Sequence, residues 1–179
     1  MRKLVYSLTN SLDNFIASDD GGYDWILMGD EVANEFPKFF AAFDTVLLGR
    51  KTYDQTLRMN SGASQETSGF MGMETYVFSR TMSTAPDAGV RLVSDNACDA
   101  VRNLKNKSGK DVWLMGGGIL AASLLREGPV DEIGVTIQPL LLGSGIPLFP
   151  DVDSRISLQL LDCRTYKNGL VGLKYGVKS

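Results

Sequence analysis

Alternation is the feature that most restricts this chain. Short runs dense in Val, Leu, Ile, Tyr and Phe, bounded by Gly, Asp, Asn or Ser, recur at 3–9, 44–49, 75–79, 90–93, 111–115, 132–137, 157–166 and 170–178. These read as strands. Stretches with helical spacing lie between them at 30–43, 51–60, 96–107 and 119–128, and Pro37 predicts a kink or a split in the first. Several strand-like runs are apolar throughout, as strands covered on both faces are. Strand–helix–strand repetition predicts an α/β fold around a mostly parallel sheet. The last two runs are joined only by "KNG" at 167–169, so the sheet is expected to end in an antiparallel hairpin. The Gly- and Ser-rich stretch 60–74, with Met71 and Met73, reads as a surface loop. No internal repeat or linker divides the sequence, and one domain over 1–179 is expected.

Composition removes whole classes of chemistry. With no histidine among 179 residues, the chain builds neither a Ser-His-Asp nor a Cys-His site, nor a His-ligated zinc centre. Cys98 and Cys163 are its two cysteines and form no CxxC pair, so no metal site is expected. A net charge of −3 argues against a nucleic-acid partner. No apolar stretch is long enough for a membrane span, and the N-terminus is too polar after Leu8 for a signal peptide. A cytoplasmic protein is expected. What remains is chemistry done with carboxylates, hydroxyls, backbone groups or a borrowed cofactor.

Three strand-to-helix junctions carry the strongest signal. "VWLMGGGILAASLL" (112–125) places Gly116, Gly117 and Gly118 between an apolar run and a helix. Backbone amides at a helix N-terminus can hold a phosphate there if the chain comes close; a tight turn without ligand is the alternative. "GGGILA" also satisfies the G-x-G-x-x-A dinucleotide fingerprint. However, Asp131 and Glu132 precede the next strand instead of ending it, and the motif sits late in the chain, so a Rossmann site is rejected. "TVLLGRKTYD" (45–54) brings Gly49, Arg50, Lys51 and Thr52 to a second helix start. "YVFSRT" (76–81) places Ser79 and Arg80 beyond a third strand. Three such exits suggest one extended anionic ligand across the carboxyl ends of the strands.

With "LLGRKTYD", "VFSRT" and "LMGGG" in this order, the chain resembles the dihydrofolate reductase superfamily. "SLDNFIA" (11–17), Trp25 and "VDEIGVTIQPLLLGSGIPLF" (130–149) make it similar to the reductase domain of riboflavin biosynthesis, without the neighbouring zinc deaminase domain, whose H-x-E and PCxxC motifs are absent. The resemblance implies a three-layer α/β/α fold, a homodimer and NADPH as cofactor. It implies phosphate contacts from Gly49, Arg50, Lys51 and Thr52, with Arg50 at the adenosine 2′-phosphate, and Ser79 and Arg80 beside the adenine ribose. Gly116, Gly117, Gly118, Ile119 and Leu120 would approach the pyrophosphate and nicotinamide, with a cis peptide inside the glycine run. Backbone at Thr9, Ile16 and Ala17 would meet the carboxamide, and Asp13 and Thr136 the substrate; Trp25 would stack on the substrate heterocycle or fill core.

The implied reaction is hydride transfer to a small heterocycle of the 5-amino-6-(5-phosphoribosylamino)uracil type. Reduction of dihydrofolate or another pterin, and NADPH sensing without turnover, are the alternatives. The acid that dihydrofolate reductases carry in their first helix has no single counterpart. Asp24, Asp30 and Glu31 occupy that region, and Asp30 equally suits a helix N-cap, Glu31 a solvated first-turn acid. Asp13 is a further candidate, with closure of a turn its simpler role. Asn14 stands where the riboflavin-type motif carries glycine, and asparagine tolerates the left-handed conformation.

Overall fold

The computed structural model describes residues 1–59, 70–85, 89–150 and 152–178. Strands run β1 (Leu4–Ser11), β2 (Phe15–Ala17), β3 (Phe43–Gly49), β4 (Glu74–Phe78), β5 (Val90–Val93), β6 (Asp111–Gly116), β7 (Glu132–Gln138), β8 (Ile146–Pro147), β9 (Leu158–Thr165) and β10 (Val171–Val177). Helices are α1 (Asp30–Ala33), α2 (Phe36–Ala41), α3 (Arg50–Met59), α4 (Ala97–Lys105) and α5 (Gly118–Arg126). Among the described residues, one sheet has the order β5-β4-β3-β6-β1-β7-β10-β9. All its pairings are parallel except those of β10 with β7 and β9. This is the expected mixed α/β sheet with an antiparallel end.

Alternate residues of β1 serve opposite faces, as the two-residue period of a strand requires. Leu4 and Tyr6 pack with Val101 and Leu104 of α4 and Leu124 of α5. Val5 joins Val46, Leu48, Tyr53 and Trp113, with Phe39 and Phe40 of α2 against them. Both faces are therefore covered, which is why consecutive residues of β1, β3 and β6 are apolar where these helices pack. Pro37 divides the 30–43 stretch as expected: α1 ends at Ala33, and Pro37 falls in the first turn of α2, where its missing N–H costs no helical bond.

Several details differ from the sequence expectation. Met73 is buried in the core beneath α2 and α3 rather than exposed in a loop; most of the expected loop, 60–69, lies outside the described residues. Gly29, not Asp30, takes the N-cap position of α1. β2 and β8 pair with each other, Phe15 with Pro147 and Ala17 with Ile146, and are too short to carry a periodic signal. The hairpin is also less buried than its composition suggests: every residue of β9 is exposed. Among the described residues, no helix is long and apolar enough to cross a membrane.

Candidate functional site

The parallel strands all end on one rim, and the sheet is parted there. β1 pairs with β7 as far as Ser11 and Gln138, but with β6 only through Leu4–Val112, Val5–Trp113 and Tyr6–Leu114. Both β1 and β6 continue beyond that point. From Ser7 onward the side of β1 facing β6 is therefore out of the ladder, and its peptide groups need other partners. Trp113 supplies one, its indole N–H donating to the Ser7 carbonyl at 2.9 Å.

The two glycine-bearing junctions meet at this cleft. A Cβ built on Gly116 would lie 3.1 Å from Thr52 Oγ1, one on Gly117 3.3 Å from the same atom, and one on Gly49 3.3 Å from the Gly117 nitrogen. The exits of β3 and β6 and the first turn of α3 thus form a cradle that side chains would fill. The Gly116–Gly117 peptide is cis. No side chain caps α5, whose N-cap is Gly117, so its first-turn amides remain available to an anion. Gly118 serves a different purpose: its Cβ would meet Pro150 Cδ at 2.6 Å and the Pro147 carbonyl oxygen at 3.0 Å. That glycine is required by packing against the β8 segment.

The cationic residues flank the cradle. Arg50 opens α3 and donates through Nε to both carboxylate oxygens of Asp54, at 2.9 and 2.8 Å. Lys51 and Arg80 are exposed, and Thr52 is half-buried. Ser79 leaves β4, the neighbour of β3, but its hydroxyl is engaged locally, accepting from the Thr81 and Met82 amides at 3.3 and 3.2 Å. Ile119 is 73% exposed at the start of α5, followed by half-buried Leu120. Ile16 and Ala17 lie in β2, whose residue Ala17 is buried.

Two of the candidate acids are engaged in hydrogen bonds within the chain. Asp13 accepts from the Ser11 hydroxyl at 2.6 Å, from Leu142 N–H at 3.1 Å and from Gly143 N–H at 2.8 Å. These bonds, led by that of Ser11, hold its carboxyl below the usual range, and they fasten the 139–145 loop to the β1–β2 turn. Asn14 adopts φ 66° in that turn. Glu31 accepts the Lys167 amide at 2.9 Å, and Asp30 is exposed at the start of α1. Trp25 is half-buried, its indole N–H 3.3 Å from the Gly22 carbonyl.

On the α2 face of the sheet a groove of about 330 Å³ runs along β1, β7 and β10, with Ser7 and Thr136 among its floor residues and Glu35, Phe39, Arg164 and Tyr166 in its walls. Ser7 lines the groove and is also the first β1 residue beyond the pairing with β6, so the groove adjoins the cleft at that residue. Glu35, Gln138 and Tyr166 were not singled out from sequence. Gln138 is buried and accepts the Leu27 N–H at 2.9 Å, holding the Trp25 segment to the end of β7.

The profile of the RibD C-terminal domain family matches residues 2–172. The chain belongs to the RibD C-terminal domain family. It is 35% identical to the uncharacterized protein YyaP of Bacillus subtilis, over 97% of this chain and 94% of that one. A putative riboflavin biosynthesis protein from Shewanella sp. PV-4 superposes with a TM-score of 0.82 at 26% identity, over 99% of both chains. Enterococcus faecalis dihydrofolate reductase, solved with NADP(H), shares the fold with a TM-score of 0.71 at 15% identity, over 99% of this chain and 97% of that one.

Proposed function

We propose that this chain is an NADPH-dependent reductase that transfers hydride to a small heterocycle of the 5-amino-6-(5-phosphoribosylamino)uracil type, acting as a cytoplasmic homodimer. One observation carries the reading: the sheet parts between β1 and β6 beside a cradle that only glycines at 49, 116 and 117 leave open. When bound, NADPH supplies the hydride. The chain's own residues do the positioning. The uncapped amides of α5 and the hydroxyl of Thr52 suit a pyrophosphate, and Arg50, Lys51 and Arg80 suit the 2′-phosphate. The unpaired edge of β1 at Thr9, with Ile16 and Ala17, suits a carboxamide. Thr136 and Ser7 offer hydroxyls to a substrate in the adjoining groove. The Enterococcus reductase with NADP(H) and the riboflavin-protein neighbour from Shewanella support the cofactor and the pathway class.

A nucleotide sensor without turnover is the second reading. The engagement of Asp13 and Glu31 elsewhere favours it, because it leaves the proton to solvent. The deciding experiment follows NADPH absorbance with ribosylaminouracils and dihydrofolate as acceptors, alongside equilibrium binding of NADPH. Oxidation with an aminouracil acceptor is expected. Binding without oxidation would select the sensor, and no NADPH binding would remove both.

A further inference from the structure

The outer wall of the substrate groove is tied down by charge. α1 and α2 contribute no fully buried residue. α2 is nevertheless anchored by rings, with Phe39 and Phe40 at 5.2 and 5.7 Å from Trp113. The preceding segment reaches the sheet through polar contacts: Leu27 to Gln138, Glu31 to Lys167, and Glu35 to Arg164 and Tyr166. Leu27 and Met28, on the same segment, are 47% and 62% exposed.

Glu35 is the centre of this arrangement. It occupies the N-cap position of α2 but makes no capping bond. Its carboxylate accepts instead from Arg164 Nη1 and from the Tyr166 hydroxyl, both at 2.9 Å. The site is built to receive it. Arg164 is held from its other side by Asp162, at 2.8 Å. The Tyr166 ring lies over Gly172, where a Cβ would come within 3.5 Å of it. Glu35, Arg164 and Tyr166 all line the groove that contains Thr136.

We propose that Glu35 is a positioning residue for the substrate: through Arg164 and Tyr166 it sets where the 27–35 segment stands over the groove, and so how closely a planar substrate is enclosed. What enters the groove rests on the reductase reading; the latch itself does not. The two charged side chains are about half exposed, 42% for Glu35 and 50% for Arg164. Their hold is therefore weak and adjustable, and the segment opens without unpacking the rings of α2.

The test uses the full chain and the variants Glu35→Ala, Glu35→Gln and Tyr166→Phe, with amide hydrogen exchange and with 5,6-diaminouracil as the groove probe. Glu35→Ala is expected to speed exchange across 27–36 by about threefold to tenfold while leaving β1 and β6 unchanged. The same variant weakens the probe by a similar factor and leaves NADPH affinity within about twofold. Glu35→Gln, which keeps the shape and a partner for Tyr166, recovers part of both losses; Tyr166→Phe gives a smaller version of each. Unchanged exchange across 27–36 in Glu35→Ala overturns the proposal. So does faster exchange confined to β9 and β10 with a lower melting temperature, which would make the network a staple of the hairpin. An unmodified chain that ignores the probe, while Glu35→Ala still loosens 27–36, counts against the reductase substrate and not against the latch.

Discussion

In the proposed NADPH complex, cofactor choice is expected to turn on Arg50, and its ion pair with Asp54 makes the effect calculable. The two side chains are 43% and 38% exposed and 2.8 Å apart. NADPH differs from NADH by a phosphate carrying about 1.5 to 2 negative charges at neutral pH. Two unit charges about 4 Å apart attract by about 1 kcal/mol in water and about 4 kcal/mol at an effective dielectric of 20. A half-exposed arginine lies between these limits, and Asp54 opposes it by repelling the phosphate and by sharing the guanidinium. The net preference is then about 1.5–2 kcal/mol, or about 10- to 30-fold in favour of NADPH. Arg50→Ala should lose that factor for NADPH and keep NADH affinity within about twofold. Asp54→Asn should move the other way, tightening NADPH about threefold, since the repulsion goes and the arginine stays. Calorimetric titration of both cofactors at two salt concentrations reads these numbers, and added salt should narrow the gap. Equal affinities in the unmodified chain would refute the reasoning. Equal losses for both cofactors in Arg50→Ala would place the arginine on the pyrophosphate or on folding. A weaker NADPH complex in Asp54→Asn would mean that the acid orients the guanidinium.

Gly118→Ala sets a Cβ against the Pro150 ring and the Pro147 backbone, which should cost about 1–3 kcal/mol in thermal unfolding. Gly117→Ala, facing only Thr52 Oγ1, should lose more in NADPH affinity than in stability. For Glu132, burial alone would raise the carboxyl pKa, but hydrogen bonds from Lys174 and Lys3 at 2.7 and 2.6 Å outweigh it and hold the pKa below its ordinary value of 4.5. Because the folded value is the lower one, this stabilisation is full above the ordinary value and is lost as pH falls through the folded value. Glu132→Gln should therefore flatten the acid side of a melting-temperature profile. Leu158, Leu160 and Leu161 are 39–52% exposed on the edge strand β9, the kind of surface that a soluble chain covers. The proposed homodimer is expected to use it, so Leu160→Lys should shift sedimentation toward monomer; an unmodified chain that is already monomeric removes the proposal.

The amino-acid sequence determined the features that local chemistry controls. Apolar runs without alternation read as strands covered on both faces, and β3 and β6 are such strands. Pro37 had to end one helix or open another, and it opens α2. The "KNG" stretch joins β9 to β10 as a hairpin, and Gly49 and Gly116 mark the two exits that form the cradle. Each of these follows from neighbours within a few residues. The partners of the charged groups do not. Glu31 looks like a first-turn acid in sequence and Glu35 carries no signal there, yet they bind Lys167 and Arg164, which lie 136 and 129 residues away. Asp13 similarly spends its carboxylate on a loop 129 and 130 residues on. The parting of β1 from β6 was equally invisible, because both strands keep a strand-like pattern past the point where their pairing stops. A strand's sequence records which face is buried, whereas its edge contacts and the ions it meets depend on which distant segment the sheet order brings alongside, and that only the tertiary structure decided.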